Sequence, residues 1–155
     1  EKMIAHLESH PKCGLAISYY TLMDENRNPI PGIEPVTHKG YTRNQILRRD
    51  GAGALRVFPK VVLEEMGLYD EENYGNFGED YDMVLKVGEK YDVDRVHEVL
   101  YRYRRHSDNT DVTRDPWMKI RNKNHARLQA LKRRQEINRK LGKWPPKQAP
   151  SEQKQ

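Results

Sequence analysis

Three carboxylates fall close together at Gly78-Glu79-Asp80-Tyr81-Asp82. The apolar residues after them, Met83, Val84 and Val87, recur at a spacing that predicts a helix over 79–90. Acidic side chains at a helix start answer free backbone N–H groups and the positive end of the dipole. Capping alone therefore accounts for all three. The chemical alternative is a general base, because a carboxylate held rigidly there can take the proton of a hydroxyl nucleophile. Asp80-Tyr81-Asp82 also has the letters of a metal-binding Asp-x-Asp, but at a helix start at most one of the two faces a common site.

A second candidate is Tyr101-Arg102-Tyr103-Arg104-Arg105-His106-Ser107. Strand alternation puts Tyr101, Tyr103 and Arg105 on one face and Arg102, Arg104 and His106 on the other. Arginine forks suit phosphate, and a neutral imidazole suits a divalent metal or a diphosphate oxygen. A basic edge strand, which discourages edge pairing, is the plain structural alternative. His6, His10, His38, His97 and His125 are read as solvated or packed, without companions at ligand spacing. The single Cys13 excludes an intrachain disulfide and a cysteine-based zinc site. P-loop, nucleophile-elbow and zincin motifs are absent.

The elements that must position these residues follow from pattern. Residues 2–9 read as the end of a helix, Gly14 to Met23 as a strand, and Asp24 to Pro29 as a turn. Thr42 to Arg49 suits a short helix capped by Thr42. Gly51-Ala52-Gly53-Ala54, small enough to admit a ligand or another backbone, precedes a short strand ending at Phe58. A helix over Pro59–Met66 stops at Gly67, and Leu68 to Gly78 reads as a loop. Val93 to Tyr103 reads as two short strand-like stretches. A long basic helix runs from Asp115 to about Leu141, with Trp117, Ile120, Leu128 and Leu131 as a thin apolar stripe that would clamp onto the body. Residues 144–155 read as a disordered tail.

The chain has 155 residues, is 35% hydrophobic and 33% charged, and carries a net charge of +5. That charge is uneven. Residues 1–113 hold 15 basic and 20 acidic residues, and residues 114–155 hold 13 and 3. The acidic partner of the basic segment is the body itself, an anionic membrane surface or nucleic acid. A solvated helix is the plainest reading, and one tryptophan gives little support to base stacking. No apolar run is long enough for a membrane span. The opening at Glu1 is not a signal peptide, and a start inside a helix suggests a cut from something longer.

Taken in order, these segments resemble the C-terminal half of a family-2 glycosyltransferase, an enzyme of the GT-A fold. The resemblance covers roughly residues 1–110. It rests on Gly51-Ala52-Gly53-Ala54, on Gly67-Leu68-Tyr69-Asp70-Glu71 closing the next helix, on Gly78 to Asp82, and on Tyr103-Arg104-Arg105-His106-Ser107. The turn Asp24-Glu25-Asn26 after the first strand fits as well. The implied fold is α/β: a partial GT-A-like mixed sheet with flanking helices, plus the long basic helix. The implied organisation is an acceptor-side part over 1–113, a basic helical extension over 114–143 and the tail over 144–155.

The resemblance implies inverting sugar transfer from a nucleotide-sugar donor to the hydroxyl of a saccharide or lipid-linked acceptor. Asp80 would be the base and Glu79 would orient it or the acceptor. Gly51, Ala52 and Gly53, with Asp82, would line the sugar pocket. Arg104 or Arg105 would neutralise the leaving group, and His106 would help hold a divalent metal, Mn²⁺ or Mg²⁺, or the diphosphate. The family's nucleotide-binding half lies upstream of the matched region, so this chain alone is expected to be inactive and to associate through open sheet edges. A cytoplasmic location, at the inner face of a membrane, is implied in the same way. The competing expectation is a non-catalytic module that binds through its basic helix.

Overall fold

The structure, a computed structural model, describes residues 1–37 and 41–143. The expected tail over 144–155 and His38 lie outside the described residues. The elements, in chain order, are α1 (Lys2–Ser9), β1 (Cys13–Met23), α2 (Gln45–Arg48), β2 (Arg56–Val57) and α3 (Lys60–Glu65). They continue with α4 (Glu71–Tyr74), α5 (Glu79–Lys90), β3 (Asp92–Arg104), α6 (Thr110–Thr113) and α7 (Pro116–Lys140). The class is mixed α/β, as the sequence implies.

β1 is the middle strand of a three-stranded sheet in the order β2-β1-β3, antiparallel to β2 and parallel to β3. Its first half is buried on both faces, which is why Leu15-Ala16-Ile17-Ser18 does not alternate in polarity. Leu15 and Ile17 pack toward α5, while Ala16 packs with Met3, Leu7 and Val96 under α1. α5 in turn lies between the sheet and α7. Tyr81, Met83, Val84, Leu85 and Val87 are all fully buried, because the helix is covered on more than one side.

Three expectations are corrected. β3 is one strand of 13 residues, not two stretches. The pairs Ser18↔Val96, Tyr19↔Val99 and Tyr20↔Tyr101 leave extra residues on β3, and these bulges interrupt the alternation that marks a strand. The segment 68–78 is not wholly a loop: Asp70 caps the short α4, accepting from the Asn73 N–H at 3.0 Å. The apolar stripe of α7 faces away from the body. Trp117, Ile120, Leu128 and Leu131 are 78, 53, 51 and 46% exposed. The helix docks instead through Asn122, Ala126, Ala130 and Arg134, one i+4 row whose alanines let two helices approach closely.

α7 is therefore not simply a solvated helix, and the body is an acidic partner for it. Arg133 Nε lies 2.7 Å from Glu89 Oε2 and its Nη2 lies 3.6 Å from Asp82 Oδ1. Lys123 Nζ lies 3.4 Å from Asp50 Oδ2. Asp115 caps the helix by accepting from the Met118 N–H at 2.7 Å, and Pro116 stands in the first turn.

Candidate functional site

Gly78 sets up the site. It is the N-cap of α5 at φ 97°, a left-handed conformation that costs any residue with a side chain. A Cβ added there would come within 3.3 Å of Asn122 Cβ. Asn122 is buried and donates to the carbonyls of Tyr74 at 3.0 Å and Phe77 at 2.8 Å. The turn before α5 is thus held by α7, and Glu79, Asp80 and Asp82 follow in fixed orientation.

The three carboxylates then part. Asp80 is half-exposed, at 46% of its side chain, and its Oδ1 accepts from the Tyr81 N–H at 2.8 Å. Its Oδ2 pairs with Arg56 Nη1. Asp82 turns away: its side chain is 3% exposed and lies 3.0 Å from Lys86 Nζ, in the interface with α7. Glu79 is half-buried, with Oε2 buried and without a hydrogen bond. Burial pushes its carboxyl above the usual range. The Asp80 charge adds to this, while backbone N–H groups and Arg56 oppose it.

Arg56, which the sequence did not single out, gathers the site. Besides Asp80 it binds the Ala52 carbonyl through Nε, and its Nη2 lies 3.3 Å from Asp50 Oδ1. A Cβ on Gly53 would come within 3.3 Å of the same guanidinium, whereas one on Gly51 would meet the Arg49 carbonyl at 3.9 Å, an ordinary contact. The fork of one arginine thus links the small-residue segment to the first turn of α5. The signal available in the sequence was an arginine opening the short strand after Gly51-Ala52-Gly53-Ala54.

Two concavities meet at Asp80. A groove of 690 Å³ is lined by Tyr69, Glu71, Asn76, Glu79 and Asp80. A smaller cleft of 230 Å³ is lined by Asp50, Glu79, Asp80, Tyr103, Asp111 and Lys123, among others. Carboxylates beside tyrosine rings suit a polyhydroxyl ligand, with hydrogen bonds at its edges and apolar contact on its faces.

The Arg104–His106 segment ends β3 beside this cleft. Arg105 Nη1 lies 2.8 and 3.0 Å from the Asp111 carboxylate, and the guanidinium stands 5.5 Å from the Tyr103 ring. The Asp111 carboxylate holds the Arg105 charge above its ordinary range of stability. Arg104 is exposed. The His106 N–H donates to Asn109 Oδ1 at 2.6 Å, and its Nε2 lies 3.4 Å from Asn109 Nδ2. Among the described residues no set of metal-ligating side chains forms around His106. Among the described residues the donors around His106 do not by themselves make a metal site.

The histidines elsewhere differ from expectation at one point. His6 and His10, read as lacking companions, lie together with Asp94. The signal was their i,i+4 spacing across the last turn and C-cap of α1. His97 Nδ1 lies 2.8 Å from the Tyr19 hydroxyl, and His125 packs edge-on against Tyr74. No helix among the described residues is long and apolar enough to cross a membrane. Comparison of the chain with family models and with curated proteins finds no match in either.

Proposed function

We propose that this chain is the acceptor-side part of an inverting glycosyltransferase of the family-2 kind, with Asp80 as general base. One observation supports it above the others. Gly51-Ala52-Gly53 and the first turn of α5, distant in sequence, are joined through Arg56, and Asp80 of that turn lines an open groove.

In this reading an acceptor hydroxyl enters the groove and gives its proton to the Asp80 carboxylate. Its oxygen forms a bond to the anomeric carbon of a nucleotide-sugar. The bond from that carbon to the diphosphate breaks, and the electron pair leaves with the diphosphate on the opposite face. Arg56 and the Tyr81 N–H hold the carboxylate in place, which lowers the cost of reaching the reacting geometry. Glu79 positions the acceptor. Arg104 and Arg105 answer charge that grows on the leaving group. His106 would meet the diphosphate in the same reading, and the proton transfer at Asp80 does not depend on it. Asp82 contributes by fixing α5 to α7.

Calorimetric titration with UDP-sugars and Mn²⁺, of this chain beside the longer protein that carries the upstream sequence, tests the reading. Binding by the longer protein alone is expected. Tight binding by this chain alone would contradict the assignment of its cleft to the acceptor side.

A second reading rests on a different observation. The outward face of α7 shows Trp117, Ile120, Leu128 and Leu131 on a helix rich in lysine and arginine. Such a face suits an anionic membrane surface, where apolar side chains enter the headgroup boundary and basic ones meet the lipid charge. Co-sedimentation with anionic vesicles at low salt, weakened by Trp117→Ser and by added salt, is the expected result. No binding at low salt sinks this reading.

A further inference from the structure

We propose that His6, His10 and Asp94 form a binding site for a divalent d-block cation, with Zn²⁺ as the natural probe. The proposal is independent of the glycosyltransferase reading. One ligand atom from each of the three residues lies within 4.8 Å of the others. His6 Nε2 is already 2.9 Å from Asp94 Oδ2, and the two imidazole rings stack at 4.2 Å. Ligand atoms around one tetrahedral zinc stand about 3–4 Å apart, given bonds of about 2 Å. His10 is exposed and Asp94 half-exposed, so small side-chain rotations close the set.

The surroundings orient the donors. His10 Nδ1 lies 2.8 Å from the His6 carbonyl and 3.0 Å from Ser9 Oγ, while the Ser9 hydroxyl donates to the Ala5 carbonyl at 2.9 Å. Both neighbours accept from Nδ1–H, which leaves the lone pair on Nε2 for a metal. An outer hydrogen bond of this kind is how metal-binding histidines are held in one tautomer. Two imidazoles and one carboxylate select zinc, nickel, cobalt or copper over the oxygen-seeking Mg²⁺ and Ca²⁺. Three protein ligands leave a fourth position for water or a further donor.

The place in the fold suggests what the ion would do. Asp94 stands near the start of β3, and Arg104 closes it at the other end of the sheet. Ten residues of strand put the two on the order of 30 Å apart. The ion would clasp the C-terminal end of α1 to β3, remote from the groove at Asp80. An ion pair between His6 and Asp94 accounts for two of the residues, but not for His10 stacked beside them.

Titration of the metal-free chain with Zn²⁺ and Mg²⁺, by calorimetry and by thermal unfolding, decides it. One Zn²⁺ per chain is expected, with a rise in Tm and no heat from Mg²⁺. His10→Ala keeps the His6–Asp94 pair, so folding is preserved, and it should weaken Zn²⁺ at least about tenfold. His97→Ala, which lies in the Tyr19 contact, should leave the affinity unchanged. Absence of Zn²⁺ binding, or binding undiminished by His10→Ala, overturns the proposal.

Discussion

At the residue scale, three neighbouring carboxylates take three different environments. Asp80 is half-exposed and ion-paired, Glu79 has a buried oxygen without a hydrogen bond, and Asp82 is buried against Lys86 and Arg133. Environment rather than residue type then sets what each can do. Glu79 gives a prediction with a definite sign. Its folded carboxyl is held above its ordinary value by burial, so the folded chain binds a proton that the unfolded chain has already lost. Stability from this group is complete below the unfolded value and falls as pH rises through the raised one. Urea denaturation across pH should show Glu79→Gln gaining on the unaltered chain between acid and neutral pH. A difference that is flat with pH would contradict the assignment. Asp80 and the Gly-Ala segment were legible in the sequence because turn and cap chemistry is local. Arg56 was not, because its pairing with Asp80, 24 residues away, is made only by the fold.

At the element scale, the positions of α1, β1, α5 and α7 were readable from caps and periodicity, and Asp115-Pro116 placed the start of α7 correctly. The docking face of α7 was not readable. A search for large apolar residues finds Trp117, Ile120, Leu128 and Leu131, whereas close helix packing here uses Ala126 and Ala130 between Asn122 and Arg134. Small residues carry little hydrophobic signal, yet they decide how near two helices can come. β3 failed for a related reason, since its bulges break the period of two. Asn122 is the element-scale test. Replacing it with alanine leaves the buried-side carbonyls of Tyr74 and Phe77 without their donor. Asn122→Ala should cost about 1–3 kcal/mol in denaturant unfolding and should raise hydrogen exchange in the turn before α5. A cost near zero would mean that water replaces the amide.

At the scale of the whole molecule, charge and topology work together. The acidic body and the basic helix meet through Asp50, Asp82 and Glu89, so part of the charge asymmetry in the sequence is satisfied internally. The parallel pair β1 and β3 carries the Arg104–His106 segment at its C-terminal end, where α/β folds commonly place ligands. Asp50, the first turn of α5 and Lys123 of α7 close around that same end. We propose that this convergence serves proton transfer at Asp80. Sugar transfer by the protein as it occurs, unaltered and as Asp80→Asn, with donor binding followed in parallel, tests this proposal. The amide keeps the shape and one acceptor oxygen but cannot take the proton. A fall in turnover of about 10²–10⁴-fold with donor affinity retained is expected, and transfer that survives Asp80→Asn undiminished would rule Asp80 out as the base.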